Sequence, residues 1–472
     1  MQVYDKFYIG GKWVAPKGKG TIEVIDPSTE EVCGVVPSGN AEDINAAVAA
    51  AKEAFKTWSR TTAAERSELI GKIAEKFTES MPKIGEICAR ELGTPLQTSI
   101  AVHGGLGVGV MSSFKDIPFE MEKEERIGNS LVIKEPIGVC GFITPWNFPL
   151  HQLVAKLAPA LAAGCTVVVK PSSDTPLTAY WLAETLHEVG LPAGVFNLVS
   201  GPGRSVGEAM CTHPDVDMVS ITGSTEAGIR VAELAAKTVK RVGQELGGKS
   251  AMLVLEDADV AKAAAGAAGG ICMNSGQVCA ALSRLIVPRA KQDDAVKAAK
   301  AAAEAVVVGG AFDEGVTMGP VASKSQFDSV RAYIQKGIDE GATLVTGGLD
   351  IPAGKNTGYF VKPTIFSDVR NDMTIAQEEI FGPVLCIIPY DSEQEAIDIA
   401  NDSVFGLSGA VVGGDKDHAI EVAKQIRTGQ LSVNGGAFNV MAPFGGYKQS
   451  GNGRELGPHG LAEYIELKAL QL

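Results

Sequence analysis

From Val139 onward, short and almost wholly apolar runs alternate with longer amphipathic ones, and no other feature restricts the fold of this chain so tightly. Val139 to Ile143, Thr166 to Val169, Val195 to Val199 and Met218 to Ile221 read as strands, with helices following from His151, Pro176, Val206 and Thr225. A strand without polar alternation is buried on both faces, so the pattern predicts a parallel sheet covered by helices on each side. In such a sheet the ligand lies beyond the carboxyl ends of the strands, where the chain leaves each strand for its helix. The expected architecture is therefore α/β and of the nucleotide-binding kind.

The N-terminal part reads as scaffold. Thr21 to Ile25 and Glu31 to Val36 flank the turn Asp26-Pro27-Ser28-Thr29 and predict a hairpin. Ile44, Val48, Ala51 and Phe55 recur at helical spacing, and Thr62-Ala63-Ala64-Glu65 is a capping-box pattern that opens a second helix. His103 to Gly109 lies in a stretch that should be helical although it carries four glycines, which suits either close helix packing or a roomy channel. Residues 119 to 136 are first charged and then extended. A chain of 472 residues exceeds one core of ordinary size, so two or three domains are expected.

Charge and cysteine usage exclude several partners. A net charge of −14 disfavours nucleic acid and anionic membrane surfaces, both of which attract a basic face. The start of the chain, Met1 to Tyr8, mixes charges with aromatics and has no apolar core of a secretory signal, and no run is long enough to span a bilayer. The eight cysteines are scattered, with no C-x-x-C pair, so neither a zinc site nor a disulfide framework is expected and a reducing cytoplasmic setting is.

Several residues have types and settings suited to chemistry. Cys279 ends Asn274-Ser275-Gly276-Gln277-Val278-Cys279, a Gly-containing turn after an Ala/Gly-rich helix, where backbone N–H groups approach a thiol closely; the ordinary alternative is a small buried hydrophobe. Glu245 sits between Val242-Gly243-Gln244 and Leu246-Gly247-Gly248, where desolvation would raise its pKa towards a useful base; a buried, paired carboxylate is the alternative. Asn147 has an amide that can donate to an oxyanion, or is simply a turn residue in a Pro-bounded loop. Lys170 ends a strand where it can meet ribose hydroxyls. Gly201 to Gly207 approximates a dinucleotide fingerprint, but its last spacing is one residue too long and no acidic residue follows at the expected distance. Gly223 to Gly228 is a second Gly-bounded turn between strand and helix, fit to hold a phosphate.

These segments occur in order with Ile143 to Leu150, Lys170-Pro171-Ser172, Glu379-Ile380-Phe381-Gly382-Pro383 and Pro443 to Lys448. Together they resemble the motifs of the aldehyde dehydrogenase superfamily over nearly the whole chain. The resemblance implies a Rossmann-like parallel-sheet cofactor domain (1–118 and 137–244), a second α/β catalytic domain carrying the cysteine (245–447), and a small β oligomerisation arm and tail (119–136 and 448–472). It makes Cys279 the nucleophile, Asn147 and the local backbone the oxyanion site, and Glu245 the base that activates the hydrolytic water. It places Trp146, Lys170, Ser172, Ser173, Gly203, Gly207, Gly223, Ser224, Glu379 and Phe381 around NAD or NADP. Many NAD-preferring members carry Glu where this chain has Ser173, which removes repulsion against a 2′-phosphate and leaves the choice of cofactor open.

The implied reaction is NAD(P)-dependent oxidation of an aldehyde to a carboxylic acid through a thiohemiacetal and a thioester, in a homodimer or homotetramer and without metal. Glu245 argues against a coenzyme A-acylating relative, and retention of Cys279, Asn147 and Glu245 argues against a catalytically silent one. No histidine stands as a signature partner for Cys279, as a cysteine hydrolase would require. Small residues at Gly104, Gly105, Gly435, Gly436 and Ala155, with Gln152, suggest room for a bulky or aromatic aldehyde.

Overall fold

The computed structural model describes Met1–Leu472. Its first sheet has a parallel centre in the order Arg241–Glu245, Met218–Thr222, Val139–Ile143, Thr166–Lys170, Phe196–Leu198. Three of these strands, Thr166–Lys170, Phe196–Leu198 and Met218–Thr222, are buried throughout, as apolar runs without alternation demand. The strand order reverses between Val139–Ile143 and Met218–Thr222, so the loops that follow them diverge and open a crevice. Register sharpens the point: Ile143 pairs with both Lys170 and Ile221, and Thr222 with Glu245, so the carboxyl ends of the strands form one row.

The second sheet runs Thr343–Thr346, Thr364–Ser367, Val384–Tyr390, Arg284–Pro288, Ala251–Val254, Gly409–Val412, Ser432–Val433, parallel except at the first pair. Residues 246–250 lead directly from the end of one sheet to the start of the other. Consequently the carboxyl edge of the first sheet faces the amino edge of the second.

The N-terminal hairpin forms between Gly20–Ile25 and Val32–Ser38. Both early helices begin with full capping boxes, Asn40 on Ala41–Trp58 and Thr62 on Ala63–Glu79. Two features depart from expectation. Phe7–Ile9 and Lys12–Val14, unassigned in the sequence, extend the first sheet antiparallel to Phe196–Leu198. The segment around His103 is not a plain α-helix: Ile100–Gly104 is a widened π-turn, followed by a helix over Gly105–Ser113.

Ser130–Pro136 pairs along its whole length with Ile465–Gln471 and also with Glu125–Ile127, making a three-stranded antiparallel arm. The preceding tail is not part of that arm. Gly451–Asn452 joins the edge of the first sheet beside Arg241–Glu245, and Gly457–Ala462 forms a helix whose Leu461 is buried in the same core as Leu157. No helix is long and apolar enough to cross a membrane.

Candidate active site

The turn before Cys279 is built from an unusual backbone. The helix Val260–Cys272 starts at the Asp259 cap, and after it Asn274, Ser275 and Gly276 take φ of 48°, 56° and 77° in succession. Consecutive left-handed residues are costly for side chains other than glycine, so the surroundings must hold them. Asn274 Nδ2 donates to the carbonyls of Asn147 at 2.9 Å and Gln277 at 3.3 Å. Ser275 Oγ donates to Gly319 O at 2.9 Å. The Gln277 side chain donates to Asn274 O at 2.9 Å and accepts from Ala322 N–H at 2.8 Å. A Cβ on Gly276 would lie 2.0 Å from Gly382 O, so only glycine fits. Asn274 and Gln277 as clamps were not foreseen: nothing in a sequence says which amides face a backbone distant in the chain.

Cys279 itself is half-buried. Burial pushes its thiol up to about 12, with the carboxyls of Glu379 and Glu245 acting in the same direction and the Ala280 N–H opposing them. The resting group is thus the thiol. Asn147, only 2% exposed, comes from the loop after Val139–Ile143 and donates Nδ2–H to Gln277 O at 3.0 Å. That contact seats it against the Cys279 turn and uses one of its two amide hydrogens.

Glu245 closes the row at the sheet edge, 4% exposed, with Oε2 unpartnered. Its Oε1 lies 2.8 Å from where a Cβ on Gly445 would stand, so the Gly-rich loop at 443–447 passes close over the carboxyl. Beside it lies an ion pair the sequence did not reveal: Lys156, fully buried on Pro149–Ala163, donates to Glu455. Glu455 is held by a backbone bridge, Phe444 N–H to Glu455 O at 2.9 Å and the reverse at 2.7 Å. Burial and the neighbouring Glu455 raise Glu245 well above the carboxylate range, while Lys156 pulls it back. Of the expected catalytic residues, the structure brings Asn147, Cys279 and Glu245 to one crevice.

The expected cofactor residues fall into two groups. Lys170 is buried, its ammonium donates to Pro171 O at 2.6 Å and Gly201 O at 3.5 Å, and burial pulls it down to about 8. Ser224 caps Thr225–Ala235 through Ala227 N–H, and Gly223 lies just before it. Glu379 Oε1 accepts from Gly248 N–H at 2.9 Å, and burial raises that carboxyl to about 7. Phe381 meets Trp146 edge to face at 5.2 Å, bridging the two sheets' loops. By contrast Gly207 is buried, and a Cβ there would stand 3.6 Å from Lys170 Cδ and Ile143 Cδ1. Gly203 starts a π-turn over Gly203–Gly207, and Ser172 accepts from Asp174 N–H within its own turn. Ser173 lies half-buried between them and Asp174 is exposed. A dinucleotide fits this edge: a Cβ on Gly203 would meet nothing within 4 Å and one on Gly223 only contacts of 3.8 Å or more, so both backbones are open to approach. Lys170 keeps an ammonium proton free for a hydroxyl.

The glycines after His103 divide. Gly104 and Gly107 pack against Met81 and Leu150, whereas Gly105 and Gly109 face open space. Gly435 is equally open, and Phe438 and Phe444 meet edge to face at 6.3 Å nearby in the chain.

A profile of the Aldehyde dehydrogenase family matches residues 13–470. A 3-succinoylsemialdehyde-pyridine dehydrogenase from a Pseudomonas species is 49% identical over 471 residues, covering 100% of this chain and 99% of its own length. A Pseudomonas syringae aldehyde dehydrogenase C, a Cys-to-Ala mutant complexed with NAD+ and octanal, superposes with a TM-score of 0.98 at 48% identity, covering 99% of this chain and 96% of its own. A Mycobacterium tuberculosis aldehyde dehydrogenase complexed with NAD+ gives 0.97 at 44% identity, with 100% and 98% covered.

Proposed function

The chain belongs to the aldehyde dehydrogenase family and oxidises an aldehyde with NAD as acceptor, and we propose that it does so through Cys279, Asn147 and Glu245. The observation that carries this assignment is Glu245, whose unpartnered carboxyl oxygen lies beside the buried Lys156–Glu455 pair and whose charge reaches the Cys279 thiol. The Cys279 thiol passes its proton through ionised Glu245 to solvent as the sulfur bonds to the carbonyl carbon, and the negative oxygen is received by the free amide hydrogen of Asn147. Bound at this edge, the nicotinamide cofactor supplies the acceptor for the hydride. Glu245, ionised, then takes a proton from water, which attacks the thioester and expels the Cys279 thiolate as the carboxylic acid forms.

In this reading Lys170 and Glu379 hold the two ribose hydroxyl sets, the Gly223–Ser224 turn holds phosphate, and Trp146 and Phe381 wall the nicotinamide pocket. Asp174, one residue beyond Ser173, supplies a carboxylate whose charge reaches Lys170, which favours NAD over NADP. Open space at Gly105, Gly109 and Gly435, with the apolar pair Phe438–Phe444 close to Gly435 in the chain, suits a bulky or long, mainly apolar aldehyde, the class to which the octanal of the P. syringae complex belongs. The arm formed by Ser130–Pro136 and Ile465–Gln471 exposes Ile127, Leu467 and Leu472, which suits pairing with a second copy in a homo-oligomer. A chain with eight free cysteines fits the cytoplasm.

The deciding experiment follows reduced-nicotinamide absorbance for wild type, Cys279→Ala and Glu245→Gln with octanal and aromatic aldehydes. Wild type should turn over, Cys279→Ala should be silent, and Glu245→Gln should give one burst followed by a steady rate lowered about 10²–10⁴-fold. Full turnover by Glu245→Gln would sink the hydrolytic role. Accumulation of an acyl thioester when coenzyme A is added, with wild-type hydrolysis absent, would favour the acylating alternative.

A further inference from the structure

We propose that His103, acting through Thr94 and Asn274, is a positioning residue that sets the orientation of the Asn147 loop against the turn carrying Cys279. It rests on the assignment of Asn147 as the oxyanion donor. Three buried side chains link these sites. His103 Nε2 stands 3.1 Å from Thr94 Oγ1, Thr94 Oγ1 stands 2.8 Å from Asn274 Oδ1, and Asn274 Nδ2 donates to the carbonyls of Asn147 and Gln277 at 2.9 and 3.3 Å.

Donor accounting fixes every proton in this chain. Asn274 must present its NH₂ to the two carbonyls, since the flipped amide would set oxygen against oxygen, so its Oδ1 faces Thr94 and needs a hydrogen. Thr94 has one hydroxyl hydrogen and gives it to Asn274. Its oxygen must then accept from His103, which makes His103 the Nε2–H tautomer. The other ring nitrogen should carry a bare lone pair, and Nδ1 is indeed buried without a partner. His103 and Thr94 are 1% and 4% exposed, which keeps these groups away from bulk solvent.

The fold aims the imidazole deliberately. His103 stands on the π-turn Ile100–Gly104 and is buried there, and such turns interrupt the regular helical spacing. Its ring also packs against Phe148, the neighbour of Asn147, with centroids 5.0 Å apart. Thr94 follows Gly93, whose carbonyl lies 1.9 Å from where a Cβ on Gly319 would stand, and Gly319 O is the acceptor of Ser275. The N-terminal scaffold thus grips the nucleophile turn from two sides. Burial lowers the imidazole to about 4, which keeps the required neutral tautomer at physiological pH.

The test is the pre-steady-state burst of reduced nicotinamide with octanal, the Kd for NAD and the melting temperature, measured on the full chain. Thr94→Val, isosteric but without the hydroxyl, should slow the burst about tenfold with Kd for NAD unchanged, the size expected for a misplaced oxyanion donor rather than a deleted one. Thr94→Ser should restore the burst to within about twofold of wild type. His103→Phe should match Thr94→Val, His103→Gln, which offers an amide N–H in place of Nε2–H, should recover most of the rate, and the Thr94→Val/His103→Phe double variant should be no slower than either single one. A Thr94→Val burst within twofold of wild type, additive losses in the double variant, or losses in Thr94→Ser and His103→Gln as large as those in Thr94→Val and His103→Phe would overturn the proposal. Asn147→Ala separates the two levels: if it retains the full burst the oxyanion assignment itself fails, whereas a slow Asn147→Ala beside a fast Thr94→Val removes only the role of His103.

Discussion

At the scale of the residue, the site stores its reactive groups in their neutral forms. Cys279 is pushed up to about 12 and Glu245 is raised well above the carboxylate range, both by burial first. With Glu245 as the proposed base, only its ionised form can act and that form is populated only above its pKa, so turnover limited by thioester hydrolysis should rise with pH. The buried pair beside it sets where that limb falls. Lys156 stabilises the Glu245 anion, so Lys156→Met should move the limb to higher pH; Glu455 opposes the anion, so Glu455→Gln should move it to lower pH. A kcat–pH profile showing both variants displaced in the same direction would refute the coupling. The cofactor edge permits a second prediction at this scale. Asp174→Ser should raise kcat/KM for NADP relative to NAD on the order of tenfold, by removing a carboxylate within reach of Lys170; steady-state kinetics with both cofactors measure it, and an unchanged ratio means that another group chooses.

At the scale of the element, the decisive object is the left-handed run Asn274-Ser275-Gly276. Gly276→Ala would add a left-handed penalty to a clash with Gly382 O, about 3 kcal/mol or more together. It should therefore lower the melting temperature and the rate of Cys279 alkylation at once. A fully active, equally stable Gly276→Ala would show that the loop at 379–382 yields easily. Capping was readable from sequence here, because Thr62 and Glu65 satisfy each other within four residues. The π-turn at Ile100–Gly104 was not, since what makes room for it is Gly85 lying against Ile100, a contact between helices. The Gly201–Gly207 segment only approximates a dinucleotide fingerprint in sequence, and in the structure it folds as a π-turn over Gly203–Gly207 in which a Cβ on Gly207 would touch the stem of Lys170.

At the scale of the molecule, the crevice lies where two sheets meet end to end. Asn147 and Glu245 hang from the carboxyl edge of one sheet, while Cys279 and Glu379 precede Arg284–Pro288 and Val384–Tyr390 at the amino edge of the other. The arm offers the prediction for the whole chain. Removing 465–472 would leave Ser130–Pro136 without its partner along a full strand, and sedimentation should then show a smaller species than wild type. Wild-type size after truncation would place the interface elsewhere.

The amino-acid sequence determined four central strands of the first sheet and the helices that follow them, because apolar periodicity acts within a few residues, and it singled out Cys279, Asn147 and Glu245 through the family motifs in which they stand, their local settings alone leaving ordinary alternatives open. Only the tertiary structure decided how those residues are held. The Lys156–Glu455 pair and the His103–Thr94–Asn274 chain join positions far apart in sequence. Their energies come from burial and from hydrogen-bond donors that must each find an acceptor, and both conditions exist only once the two sheets have closed on one another.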